Sequence, residues 1–181
     1  GDVTERYNAL KRVEHMAMHD QLTGIFNRVG FDEHVQRALV DGKRYGTDIA
    51  VAMIDLDGFK PINDQFGHKA GDMVLKTIAG RLTDQGRKTD IAARLGGDEF
   101  VVVFTDLKNP ADLPSLGERL LARINLPIDI ETGTQVQVGA SIGMAYTPVH
   151  GDNIETLLDV ADKAMYNAKH TGKGRFAIAP V

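Results

Sequence analysis

Two short apolar segments, Ile91 to Leu95 and Phe100 to Phe104, are separated only by Gly96-Gly97-Asp98-Glu99, the composition of a tight β-hairpin. A hairpin fixes one strand pair as antiparallel, so a wholly parallel sheet is excluded. Ile49 to Ile54 is a continuous apolar run that stops at Asp55-Leu56-Asp57-Gly58. This predicts a strand buried on both faces with carboxylates at its C-terminal end. Strict alternation from Gln135 to Tyr146 places Val136, Val138, Ala140, Ile142, Met144 and Tyr146 on one face of a half-buried strand, and Phe176 to Ile178 forms a short closing strand.

Helical periodicity fills the intervals. A helix is expected from Phe31 to Val40 with Gly42 as its stop, a second through Val74 to Leu82 ending near Gly86, and a third from Leu113 to Ile124. A last helix opens at Asp152 with Glu155 three residues on, a capping-box pattern, and stops near Gly172. Asp20 to Arg28 reads as a loop. The expected fold class is α+β, a central, mostly antiparallel sheet wrapped by helices.

At the N-terminus, Val3, Tyr7, Leu10, Glu14 and Ala17 follow a 4-3-4-3 spacing. Such a stripe suits a helix packed along a partner helix, or equally one lying on its own domain. At 181 residues the chain has room for one full domain and a short appendage. The expected division is a stem over residues 1–19, the remnant of a linker to an upstream domain, and one catalytic domain over 20–181. With no cysteine, disulfide scaffolds, thiolate zinc sites and cysteine nucleophiles are excluded. A net charge of −4 speaks against binding to a nucleic-acid polymer, whose phosphates call for Lys and Arg. No run of about 18 apolar residues exists to span a membrane, so the expected location is cytoplasmic, with any membrane tether lying elsewhere in a longer protein.

Asp55 and Asp57, at i and i+2, point to one side of a strand, and Asp98 and Glu99 sit at the tip of the hairpin. Hard divalent cations need several oxygen ligands, and Mg²⁺ is usually held by one or two carboxylates together with substrate phosphates. Capping a turn is the plainer role for such aspartates. The segment from Phe59 to Asp72 adds a dense set of amide, carboxylate and ammonium groups, able to read the donor and acceptor edge of guanine. Lys60 could meet a phosphate as a point charge.

Four ordered motifs carry a resemblance: Asp20-x-Leu22-Thr23-Gly24-x-x-Asn27-Arg28; Asp55-x-Asp57-x-Phe59-Lys60-x-x-Asn63-Asp64-x-x-Gly67-His68-x-x-Gly71-Asp72; Arg94-x-Gly96-Gly97-Asp98-Glu99-Phe100; and Ala161-Asp162-x-Ala164-Met165-Tyr166-x-Ala168-Lys169. Together they resemble the GGDEF family, the bacterial diguanylate cyclases, over most of the chain. The resemblance implies a fold akin to the palm of polymerases and nucleotide cyclases, with a ferredoxin-like core. It implies a reaction in which two GTP condense to cyclic di-GMP with release of two pyrophosphates, each protomer of a homodimer holding one GTP.

Carried over residue by residue, the resemblance makes Asp55, the carbonyl of Leu56, Asp98 and Glu99 ligands of two Mg²⁺, or Mn²⁺, per site. Asp98 is also the candidate base for the ribose 3′-hydroxyl, with Glu99 and Lys60 in the catalytic set. Asn63 and Asp72 would hold the guanine, His68 would order that loop, and Lys60, Lys169, Lys173 and the amides near Gly58 and Phe59 would hold the phosphates. Gly96 and Gly97 would let the nucleotide approach the backbone. Arg87-x-x-Asp90 falls where the family binds product as an inhibitor; the plainer reading is a solvated ion pair worth about 0–1 kcal/mol, but position and residue types both agree with the family, so a feedback site is expected. Lys173 and Gly174 stand where family members often show Arg and Asn. The resemblance also implies an attached sensor or output domain. The alternative function is a catalytically silent domain that binds GTP or cyclic di-GMP and regulates such an output.

Two patterns compete. Gly139-Ala140-Ser141-Ile142-Gly143 satisfies the hydrolase nucleophile elbow but lies inside an alternating strand, not at a strand-to-helix turn. His15 and His19 are one helical turn apart without the Glu of a zinc-protease motif, so a surface pair is expected.

Overall fold

The computed structural model describes every residue except 85, 86 and 132. Helix α1 (Asp2–Met18) and helix α2 (Arg28–Tyr45) precede strand β1 (Asp48–Asp57). Helices α3 (Phe59–Phe66) and α4 (His68–Asp84) lead into the hairpin of β2 (Ile91–Gly96) and β3 (Glu99–Leu107). Helix α5 (Leu113–Ile124), a small β4 (Ile128–Glu131) and β5 (Thr134–Val136) ribbon, strand β6 (Gly139–Tyr146), helix α6 (Ile154–His170) and strand β7 (Arg175–Ile178) complete the chain. Among the described residues, no helix is long and apolar enough to cross a membrane.

The main sheet has the order β2-β3-β1-β6-β7. All neighbours are antiparallel except β6 and β7, which are parallel. The α+β expectation of a mixed, mostly antiparallel sheet holds. β1 lies at its centre, and that position explains the apolar run: both faces are covered. Ala50, Ala52, Ile54 and Leu56 join one core with α4 and α5, while Ile49, Val51 and Met53 join the other with α2 and α6. Because side chains alternate along a strand, Asp55 and Asp57 fall on the α6 side. By the same alternation Phe100, Val102 and Phe104 of β3 enter the first core, Val101 and Val103 enter the second, and Glu99 shares the face of Asp55.

The structure revises several expectations. The alternating segment from Gln135 to Tyr146 is not one half-buried strand. It splits into β5 and β6, which belong to different sheets, and β6 is buried on both faces. Its small residues are the reason: a Cβ on Gly143 would lie 2.0 Å from the Ala161 carbonyl, so α6 packs directly on the strand. Gly42 does not stop α2. It sits inside the helix against Thr47, and Gly46, at φ 70°, makes the C-cap. The N-cap of α6 is Asn153, whose side chain accepts from the Thr156 amide, one residue beyond the expected Asp152. The expected end of α4 near Gly86 lies outside the described residues. The stripe on α1 does not lie on the domain, since Val3, Tyr7 and Leu10 are all exposed.

Candidate active site

β1 runs through both aspartates before Gly58, at φ 83°, turns the chain into α3. Glycine adopts this left-handed conformation without the Cβ clash that other residues meet. The β2–β3 connection needs the same freedom: Gly96 pairs with Glu99, and Gly97 at φ 52° takes the first place of a two-residue loop, as a type II′ turn requires. Register then brings the two ends together, with Asp55 opposite Glu99 and the Leu56 amide donating to the Asp98 carbonyl at 3.3 Å.

Asp55 is buried at 8% exposure, and Lys169 from α6 donates to its Oδ2. This hydrogen bond raises the Lys169 ammonium above its ordinary 10.5. Burial, and after it the charge of Asp55, pushes the Asp98 carboxyl above 3.8. Glu99 is pushed above 4.5 by burial, then by Asp55, Asp162 and Asp98. The site is therefore a knot of mutually repelling carboxylates with one ammonium in contact, an arrangement that favours an added cation. Among the described residues no three His, Asp or Glu side chains form a ready-made cage. Asp55, Asp98 and Glu99 could therefore hold a hard cation only together with waters or substrate phosphates, which is how Mg²⁺ is commonly bound.

A second group of predicted residues gathers where α3 meets α4. Asn63 Nδ2 lies 3.3 Å from His68 Nδ1. Its Oδ1 rests against Gly71, where an added Cβ would come within 2.3 Å, and Gly71 adjoins exposed Asp72. Asn63, His68 and Asp72 thus stand together on one edge. Phe59 and exposed Lys60 occupy the first turn of α3, which no side chain caps. Lys173 lies in the turn after α6, its amide donating to the Ala168 carbonyl at 3.1 Å.

Arg87 and Asp90 lie at the far end of β2 from Gly96, about 20 Å away at ~3.3 Å per residue. They do not form an ion pair with each other. Asp90 accepts from the Arg87 amide at 2.9 Å and the Thr105 amide at 2.9 Å, and the Arg87 guanidinium meets Asp106 at 3.3 Å. Both line a groove of about 420 Å³ with Thr105, Lys108 and Ser115.

Two residues given no role by the sequence reading also serve the site. Arg94 Nη1 donates to Asp20 Oδ1 at 3.1 Å, and Arg94 Nε donates to the Gly97 carbonyl at 2.8 Å. Both lie within the motifs that carried the resemblance; their 74-residue separation hid the contact. Ser141 is fully buried in β6, so it is no exposed nucleophile. His15 at the end of α1 and its C-cap His19 stack with ring centroids 3.7 Å apart, His15 exposed and His19 half-buried.

The comparisons with known proteins agree with this geometry. The family described as "Diguanylate cyclase, GGDEF domain" matches residues 17–175. Diguanylate cyclase TpbB of Pseudomonas aeruginosa is 42% identical over 91% of the chain, which spans only 38% of the length of that relative. The crystallised GGDEF domain of TpbB superposes with a TM-score of 0.85 at 42% identity, covering 90% of this chain and 94% of the other. The coiled coil and GGDEF domain of DgcB from Caulobacter crescentus, solved with c-di-GMP, reaches a TM-score of 0.86 at 27% identity, covering 98% and 94%. The family match over residues 17–175 and the superposition of whole domains agree, and the chain belongs to the GGDEF domain family.

Proposed function

We propose that the protein condenses two GTP molecules into cyclic di-GMP, each protomer of a homodimer presenting one GTP to the other. The meeting of Asp55 with Asp98 and Glu99 supports this reading most directly, because carboxylates so placed repel one another and a bound cation would relieve that repulsion. Asp55, the Leu56 carbonyl, Asp98 and Glu99 would hold two Mg²⁺, or Mn²⁺, which when bound ease ionisation of the ribose 3′-hydroxyl and neutralise the triphosphate and departing pyrophosphate.

The chain's own groups do the rest. Asn63 and Asp72 receive the guanine edge, and His68 holds Asn63 in place. Lys60, Lys169 and Lys173 meet the phosphates, together with the amides at the start of α3 near Gly58 and Phe59, which no side chain caps. Gly96 and Gly97 leave room for the nucleotide against the turn. Asp98 takes the proton from the 3′-hydroxyl, a task helped by its raised pKa. The 3′-oxygen then bonds to the α-phosphorus of the facing GTP, the bond from that phosphorus to the β-phosphate bridging oxygen breaks, and pyrophosphate leaves. The reciprocal step closes the ring.

Arg87 and Asp90 would bind cyclic di-GMP as a feedback inhibitor: the guanidinium stacks on a purine while a carboxylate accepts from the guanine edge. Incubating the dimeric protein with GTP and Mg²⁺ and separating the products tests the reading. Cyclic di-GMP with two equivalents of pyrophosphate is expected. Tight GTP binding without product would instead favour a silent regulatory domain.

A further inference from the structure

Asp57 is the second carboxylate at the end of β1, and the cyclase reading leaves it without a task. The structure gives it one. Its carboxylate accepts the Ser141 hydroxyl at 3.0 and 3.2 Å and the Gly174 amide at 2.8 Å. Ser141 is fully buried, so β1, β6 and the turn after α6 are joined through one side chain.

That turn is unusual in its backbone. Gly172, Lys173 and Gly174 have φ of 141°, 58° and 57°. Glycine tolerates such angles, but a lysine does so against a clash between Cβ and its own backbone. Lys173 is held from both sides: its amide donates to Ala168 at 3.1 Å, its carbonyl accepts from Arg175 Nε at 3.3 Å, and the next amide is taken by Asp57. Backbone strain persists where the surroundings over-determine it, and it concentrates at ligand-binding positions. A turn needed only for chain reversal would place glycine here. The charge of Asp57 also reaches Lys169, one helical turn earlier.

We propose that Asp57 is a positioning residue that fixes the Gly172-Lys173-Gly174 turn and so aims Lys173, alongside Lys169, at the triphosphate of bound GTP. The proposal rests on the cyclase reading above. Asp57 acts through the lysine and touches neither the nucleotide nor the reacting atoms.

The test is a double-mutant cycle in the dimeric protein with GTP and Mg²⁺, combined with amide hydrogen exchange at Gly174 in the nucleotide-free protein. Asp57→Ala and Lys173→Ala should each raise KM for GTP about tenfold, the loss of roughly one charge-assisted contact, and leave kcat within about twofold. Together they should do little more than either alone. Asp57→Asn keeps an acceptor for the Gly174 amide and should restore most of the affinity. Gly174 exchange should be slow in the parent and fast in Asp57→Ala.

Multiplying KM effects would overturn the proposal, and so would unchanged Gly174 exchange or a fall in kcat alone. An unchanged KM in Lys173→Ala would also defeat it while leaving the cyclase reading intact, since product would still form. Absence of product in the parent protein would defeat that reading itself, whereas the exchange arm would still report whether Asp57 holds the turn.

Discussion

Arg94 and Asp20 form an ion pair, each side chain less than a fifth exposed, that joins the loop after α1 to the acidic turn. Burial raises the Asp20 carboxyl, but hydrogen bonds from the Thr23 hydroxyl and amide and from Arg94 outweigh it and hold the group below 3.8. Replacing Asp20 with Ala leaves a half-buried guanidinium unpaired. A loss of about 2 kcal/mol is expected, seen as a Tm lower by roughly 4–8 °C. Turnover should also fall, because Arg94 then holds the Gly97 carbonyl with less precision. The sign with pH follows from the lowered pKa. The stabilisation by Asp20 is present above 3.8 and disappears as pH falls through the lower folded value, so the Tm gap between parent and Asp20→Asn should close only in acid.

Asp98→Asn should abolish cyclic di-GMP synthesis yet stabilise the metal-free protein. The raised pKa values of Asp98 and Glu99 mean that their stabilising contribution is complete only below about 4 and is lost as pH climbs through the folded values. At neutral pH the ionised cluster therefore opposes folding, and neutralising one member relieves it. A metal-free melt at pH 7 should show a Tm higher by about 2 °C. Unchanged turnover would remove Asp98 from the reaction.

Gly71→Ala should raise KM for GTP about tenfold with kcat little altered. The new Cβ would come within 2.3 Å of Asn63 Oδ1 and 3.3 Å of the Phe59 ring, so Asn63 must swing away from its position. Steady-state kinetics at saturating Mg²⁺ would register this, and an unaltered KM would take Asn63 out of the guanine contact.

His150→Ala should destabilise without touching catalysis. The ring accepts the Tyr146 amide at Nδ1, 3.0 Å away, so Nε2 carries the hydrogen and donates to the Ala179 carbonyl at 3.0 Å. Tyr146 pairs with Ala50, at the end of β1 opposite Asp55. Orphaning a buried amide costs about 1–3 kcal/mol, a Tm loss of roughly 2–12 °C, while KM and kcat should stay at parent values.

Strand order within the hairpin, the buried central strand and helix α5 are all legible in the residues, since each depends on local periodicity and turn chemistry. The split of the 135–146 segment is not, because Val136, Val138 and Ala140 keep alternating across the break between two sheets. Gly42 misleads for a related reason: a glycine chosen for close contact with Thr47 looks the same in sequence as one chosen to end a helix.

The site divides along the same line. Sequence by itself determined that carboxylates would end β1 and tip the hairpin, because apolar runs and glycine pairs act over a few residues. Only the tertiary structure decided the partners: Lys169 for Asp55 and Ser141 with Gly174 for Asp57 at the end of β1, and Arg94 for Asp20 in the loop after α1. Those contacts bridge 74 to 117 residues. Which charge meets which over that span is set by sheet order, register and the lie of α6, and those arise from packing the whole core at once.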